Sequence, residues 1–379
     1  MCESLLSSLR VFSERHRDNE HRVESGVSFF FSFSKKRSKT TLNKHRRSWM
    51  RDFDHVLIVA GAGMSAFPAE LRQNVYVSEE DFKYRYPHVK KYKTSYEAMS
   101  LFFDPEIDLI TKWGYQAQHM DNMSSKFKPN MAYTYLRKFV EKKKSYEVLT
   151  SNVDACFTRS GFDPKRVYTP QGEWTYYQCM KRCTEHSVWP SREMLDKILP
   201  SIENGVVKSE VPRCKVCNSK WTFGNVRGGD WFIHSPYEAS QKRFVKWAEE
   251  RVRSKTDRVV VIEIGAGFNT PTVTRYPCES FVRELGNRGA LIRINPTDPM
   301  VPRDLKNAVG LKCGWKVLEM LCSSQHDEKE KKLDAKAASK LVVSRSKSAE
   351  SCDEEERWTF LRSRWGHFDW RVFMENLRH

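Results

Sequence analysis

The 379-residue sequence has no apolar run long enough to cross a bilayer. The longest near its N-terminus, Val27 to Phe33, is broken by serines and falls far short of the roughly 20 residues a spanning helix needs. No transmembrane helix is expected. A convincing export signal is also lacking, and ten cysteines without one point to a reducing, intracellular compartment. The first 51 residues are rich in Arg and Ser like a mitochondrial presequence, but Glu3, Glu14, Asp18, Glu20 and Glu24 count against that reading. Cytoplasm and mitochondrion both stay open. No internal repeat is visible, which sets solenoid and propeller folds aside.

What is abundant is positive charge, a formal +17. Residues 1–51 hold a surplus of seven basic groups, residues 52–322 a surplus of nine and residues 323–379 a surplus of one. Much of the excess therefore sits in a tail, which reads as a solvated basic arm, and nucleic acid is not required as a partner.

Folding signals begin at His55. The run Val56 to Ala60 is apolar on both faces and leads straight into glycine, as a buried parallel strand does. Tyr146 to Thr150, Val259 to Ile264 and Ala290 to Ile294 read the same way, with a weaker strand near Ala308 to Leu311. Apolar residues at helical spacing fill Glu106 to Met120, Met131 to Glu141, Tyr237 to Arg253 and Trp315 to Leu321. Strands alternating with helices imply an α/β fold, a doubly wound, Rossmann-like parallel sheet covered on both faces. Residues 179–231, with two cysteine pairs and scattered prolines, break the alternation and are expected to form a small inserted zinc-binding module. The chain then divides into a basic, poorly ordered arm (1–51), the folded domain (52–322), a charged disordered linker (323–356) and an aromatic, basic end segment (357–379).

Four motifs carry chemistry. Gly61-Ala62-Gly63-Met64-Ser65 follows the first strand, where glycines let a diphosphate approach backbone amides and the start of the next helix. It is not the full six-residue dinucleotide fingerprint, and alone it reads equally as a tight turn. A second copy, Gly265-Ala266-Gly267-Phe268-Asn269, follows another strand. Thr150-Ser151-Asn152-Val153-Asp154 sits at a third strand end, with Gln171-Gly172-Glu173 beginning seventeen residues after Asp154. Finally, Cys179 and Cys183, then Cys214 and Cys217, are separated by three, thirty and two residues, a pattern that suits four thiolates around one structural zinc with no open position.

In order and spacing these motifs resemble the sirtuin family from Asp52 to Cys322. The resemblance implies NAD as a substrate, with Gly61, Ala62, Gly63 and Ser65 cradling its diphosphate and Gly265 and Gly267 closing the other side. It places Asn295 at the adenosine ribose, and Asn152 and Asp154 along the pocket for the nicotinamide ribose and carboxamide. Two departures stand out. The usual Gly-Ile-Pro-Asp-Phe-Arg continuation is replaced by Ala66-Phe67-Pro68-Ala69-Glu70-Leu71-Arg72, and Gln171 stands where sirtuins have the catalytic histidine. Both features, with Phe157, Gly161-Phe162, Gln178-Cys179 and Asn269-Thr270-Pro271 followed by Arg275 and Pro277, are similar to the macrodomain-linked class M branch of protein ADP-ribosyltransferases. Lipoyl-carrier proteins are among the substrates of that branch.

The glutamine decides between chemistries. Deacylation by a sirtuin needs a base that titrates near neutrality to take a proton from a ribose hydroxyl, and an amide has no such basicity. Nicotinamide departure needs binding, strain and stabilisation of an oxocarbenium-like centre, which Asn152 and the pocket walls can supply without a base, while Gln171 can orient a ribose hydroxyl. Protein mono-ADP-ribosyl transfer is therefore the expected reaction. The alternatives are a lysine deacylase using another base, with His186 or His234 as candidates, and a non-catalytic NAD-binding module.

Overall fold

A computed structural model describes residues 53–66 and 69–322. The expected basic arm, charged linker and aromatic end segment lie outside the described residues, as do Phe67 and Pro68 of the divergent loop. Among the described residues no helix is long and apolar enough to cross a membrane.

The strands are β1 His55–Ala60, β2 Ser145–Thr150, β3 Val167–Tyr168, β4 Gly172–Cys179, β5 Val188–Pro190, β6 Ile202–Glu203, β7 Val206–Val207, β8 Thr222–Val226, β9 Val259–Ile264, β10 Gly289–Ile294 and β11 Ala308–Leu311. The longer helices are α1 Glu79–Arg85, α2 Leu109–Asp121, α3 Met131–Val140, α4 Arg192–Ile198, α5 Glu238–Arg253, α6 Arg275–Leu285 and α7 Val317–Cys322.

Six strands form one parallel sheet in the order β11-β10-β9-β1-β2-β3. The inner strands β1 and β9 are buried at all six positions, because side chains on both faces meet apolar layers. On one face Val56, Ile58, Val148, Ile262 and Ile292 join Trp113 of α2 and Leu136 of α3. On the other, Leu57, Val59, Val261 and Leu291 pack against Trp247 of α5 and Phe281 and Leu285 of α6. The fold is thus the doubly wound α/β arrangement expected from the strand pattern.

Local signals set the helix starts. Asp108 caps α2 by accepting from Thr111 N at 2.7 Å, and Asn130 caps α3 by accepting from Ala132 N at 2.9 Å. Helix α6 escapes the sequence reading, although Cys278, Phe281, Val282 and Leu285 carry helical spacing and are buried. Pro277 sits in its first turn, where a missing N–H costs nothing. The cysteine-bearing segment also holds more structure than its lack of periodicity indicates. The hairpin β6-β7 and the outer strands of an antiparallel sheet of order β5-β4-β8 lie within it, while the central strand β4 begins at Gly172, seven residues before Cys179.

Candidate active site and cysteine cluster

From β1 the chain proceeds to β2 and β3 on one side and later returns to β9, β10 and β11 on the other. The order therefore reverses between β1 and β9, and the crevice outside their carboxyl ends is where open α/β sheets bind ligands. The two glycine motifs occupy those two ends.

They touch each other. Gly61 N donates to Ile264 O and Gly63 N to Gly265 O, each at 3.0 Å. A Cβ on Gly61 would stand 2.6 Å from Ala266 Cα, and Gly265 has φ +62°, with its Cβ position 2.7 Å from Gly63 Cα. Glycines at these positions are expected to let a diphosphate approach the backbone. The structure gives Gly61, Gly63 and Gly265 a prior reason: only glycines let the two turns pack backbone to backbone. Gly267 is different, because a Cβ there would meet nothing within 4 Å. The amides of Ala62 and Gly267 have no hydrogen-bond partner among the described residues.

Ser65, Asn152 and Asp154 come together beneath the first turn. Ser65 Oγ donates to Asp154 Oδ2 at 2.6 Å, lies 2.6 Å from the hydroxyl of Tyr133 and accepts from Asn152 Nδ2 at 3.4 Å. All four side chains are buried, and Asn152 Oδ1 has no hydrogen-bond partner. The loop is held by Thr150 Oγ1, which accepts from Asn152 N at 3.0 Å, and by Ala155 in the left-handed region at φ 53°. Tyr133 has no motif around it to mark it in the sequence.

Gln171 directly precedes β4. Its carbonyl accepts from Arg227 N at 2.8 Å, and Arg227 Nε donates to Pro170 O at 3.1 Å, so one arginine clamps two successive carbonyls. Its guanidinium lies 4.4 Å from the centre of the Phe232 ring, and burial lowers its pKa. Three residues on from Gln171, Trp174 N donates to Val153 O at 3.1 Å, which ties β4 to the Asn152–Asp154 loop. Glu173, whose carboxyl burial pushes above its usual range, accepts from Thr175 Oγ1 at 2.9 Å.

Asn295 has its amide committed within the protein. Its Nδ2 donates to Ala266 O at 2.9 Å and its Oδ1 accepts from the amides of Thr297 and Asp298. Arg275 reinforces the same region, donating to the carbonyls of Ala266, Asp298 and Met300 beneath the Phe268 ring. These two residues hold the second glycine turn from below. Of the alternative bases, His186 is exposed in the turn after Cys183, while His234 is half-buried beside the rings of Phe232 and Tyr237.

The four cysteines converge. Cys179 Sγ lies 3.7 Å from Cys217 Sγ and Cys183 Sγ 3.5 Å from Cys214 Sγ, and all four sulfurs are within 4.8 Å of one another. A disulfide needs about 2.05 Å. Four thiolates at about 2.3 Å from a central zinc would be spaced by about 3.8 Å, so the cluster fits a tetrahedral ion. Amides of Val216 and Cys217 donate to Cys214 Sγ at 3.4 and 3.3 Å, as in a metal-binding turn.

A doubly wound parallel sheet, two glycine turns meeting at its switch point and a four-cysteine cluster in the inserted segment are the arrangement expected from the order of the motifs. In sequence the chain is similar to ADP-ribosyltransferases. It is 32% identical over 265 residues to a probable bifunctional ADP-ribose hydrolase/ADP-ribosyltransferase of Fusarium oxysporum f. sp. cubense, a match covering 68% of this chain and 43% of that protein. It is 23% identical over 252 residues to a protein ADP-ribosyltransferase of Staphylococcus aureus strain Mu50, covering 66% and 76%. The match therefore spans less than half of the fungal relative. Among solved structures, a sirtuin studied for substrate affinity is similar at 20% identity and TM-score 0.45, covering 72% of this chain and 93% of that one. A Sir2 enzyme studied for mechanism and regulation is similar at 17% and 0.44, covering 75% and 98%. No family model matches the chain.

Proposed function

We propose that this protein is an NAD-dependent mono-ADP-ribosyltransferase that modifies a protein and releases nicotinamide. The observation that carries the reading is the buried, unpartnered amide oxygen of Asn152 beneath the first glycine turn, in a loop whose Val153 carbonyl is held by Trp174, three residues after Gln171, a residue that cannot act as a base. The names of the two sequence relatives support it.

NAD fits the residues present. The outer amides of Ala62 and Gly267 are available to phosphate oxygens, and the open space above Gly267 leaves room for backbone approach. The unpartnered Asn152 oxygen is an acceptor for a ribose hydroxyl or a partner for developing positive charge. Ser65 and Asp154 shape the pocket wall around Asn152, and Asn295 supports the adenosine side by holding the Gly265 turn.

In the transfer the glycosidic bond to nicotinamide breaks with its electron pair going to the leaving group. The acceptor's nucleophile supplies the pair for the new bond and gives up a proton to solvent water. Gln171 can donate or accept hydrogen bonds to orient a ribose hydroxyl during these events, but it cannot take that proton. Cys179, Cys183, Cys214 and Cys217 would hold a zinc ion in a structural role, since four thiolates would leave it no position for water.

Incubation of the full chain with NAD labelled in its adenylate part and with cell lysate tests the proposal. Label in protein, with stoichiometric nicotinamide release, is the expected result. Loss of acyl groups from an acyl-lysine peptide would establish the deacylase instead, and NAD binding without turnover would establish a binding module.

A further inference from the structure

The hydrogen bonds around Ser65 determine which end of the Asn152 amide is left free. A carboxylate only accepts. Asp154 takes the Cys156 N–H on Oδ1 at 2.9 Å and the Ser65 hydroxyl on Oδ2 at 2.6 Å. Ser65 has a single proton, and with that proton directed at Asp154 its oxygen can only accept from its other neighbours. Tyr133, with its hydroxyl 2.6 Å away, is then the donor. Burial holds the Tyr133 phenol well above its usual pKa, so the proton is there to donate. Asn152, 3.4 Å away, must likewise turn its NH2 group inward. What remains is Oδ1, the buried oxygen without a partner. The polarity of the whole chain is set at Asp154, two residues beyond the amide it controls.

We propose that Tyr133, Ser65 and Asp154 are a positioning relay that fixes the Asn152 amide with its carbonyl oxygen, and not its NH2, presented to the reacting ribose. An oxygen at that place stabilises the positive charge that develops as nicotinamide leaves, whereas an NH2 dipole would oppose it. An asparagine at position 154 can either accept from Ser65 or donate to it. The Ser65 proton is then free to point at Asn152, and the amide can turn over. The ribose as the reacting group rests on the proposed transfer of ADP-ribose; the orientation of the amide does not.

The test uses the full chain, NAD as the ligand, and the variants Tyr133→Phe, Ser65→Ala and Asp154→Asn. Nicotinamide release gives kcat, calorimetry gives the NAD Kd, and nitrogen-15 NMR follows the Asn152 side-chain NH2, assigned with Asn152→Asp. Since one buried hydrogen bond governs about tenfold in rate, kcat is expected to fall about tenfold in Tyr133→Phe and about a hundredfold in Asp154→Asn, with Kd within about threefold. Tyr133→Phe placed on Ser65→Ala should add no further loss, because the relay is already cut. The Asn152 NH2 resonances should shift in Asp154→Asn, although no hydrogen bond joins the two side chains. Tyr133→Phe keeps the buried ring, and its NH2 shift decides the matter should Asp154→Asn fail to fold. A Kd that rises in step with the fall in kcat, losses that multiply, or unmoved NH2 resonances would each overturn the relay. A wild-type protein that releases no nicotinamide would instead overturn the transferase reading, and the NH2 resonances alone would then judge the relay.

Discussion

Gly61, at the carboxyl end of β1, and Ala266, at the carboxyl end of β9, are in backbone contact, so close that a Cβ on Gly61 would lie 2.6 Å from Ala266 Cα. The crevice at the switch point is therefore built on a turn-to-turn contact, and ligand binding there depends on an interaction that exists without ligand. Gly265→Ala tests this most sharply. The alanine would be forced to φ +62° and its methyl driven into the backbone of Gly63 and Met64. The expected cost is at least about 2 kcal/mol of stability, read from denaturant melts, with a parallel loss of NAD affinity. Gly267→Ala, where a Cβ meets nothing within 4 Å, should leave stability almost unchanged.

The cysteine cluster is linked to the Gln171 segment through one strand. Residue Cys179 ends β4 and Gln171 immediately precedes it, while Trp174 ties that strand to Val153. Metal analysis of the purified protein is expected to give one zinc per chain, and Cys214→Ser should lose it. Chelation should abolish nicotinamide release as well as lower the melting temperature, because β4 then loses its anchored end. Full release rates in metal-free protein would sever this link.

The imidazole of His119 supplies a pH dependence whose sign is fixed. It is buried between the hydroxyls of Tyr86 on Nδ1, at 2.7 Å, and Tyr76 on Nε2, at 3.2 Å, and desolvation lowers its pKa to about 3. A depressed folded pKa means that the neutral ring is favoured in the fold. Its contribution is therefore complete above the unfolded value near 6.5 and declines as pH falls toward 3. Over that window stability should drop by roughly 1.4 kcal/mol per pH unit from this residue alone. Urea melts of wild type and His119→Gln between pH 7 and pH 4.5 measure the difference, and equal slopes would remove His119 as the source.

The strands were legible because β1, β9 and β10 are buried on both faces and must read as unbroken apolar runs. The sheet around β4 was not, since the strand carries a bulge between Gly172 and Tyr177 and its burial does not simply alternate. Helix α6 had a readable spacing that Pro277 disguised. In the site, Gly61, Asn152, Gln171 and the cysteines were visible as motifs, but the reason for Gly61 and Gly265 was not, because loop-to-loop contact has no local signature. Tyr133 reaches Ser65 across 68 residues of sequence and Arg227 reaches Pro170 across 57. Neither spacing follows from helix or strand periodicity; tertiary packing alone creates them.

Arg227 leads to the last prediction. Its backbone amide holds the Gln171 carbonyl and its Nε holds the Pro170 carbonyl, so the Gln171 backbone is fixed by a residue near the end of the inserted module. In Arg227→Ala the backbone bond survives, but the side-chain clamp and the contact with Phe232 are lost. Gln171 would keep its chemistry and lose its place. If orientation is what Gln171 contributes, kcat for nicotinamide release should fall about tenfold with KM for NAD nearly unchanged, and Gln171→Ala should give a similar loss. Combining the two should cost no more than Gln171→Ala alone, because a clamp has no effect on a side chain that is absent. Independent, multiplying losses would mean that Arg227 acts on NAD or the acceptor directly, and an unchanged rate in Gln171→Ala would remove the glutamine from the mechanism.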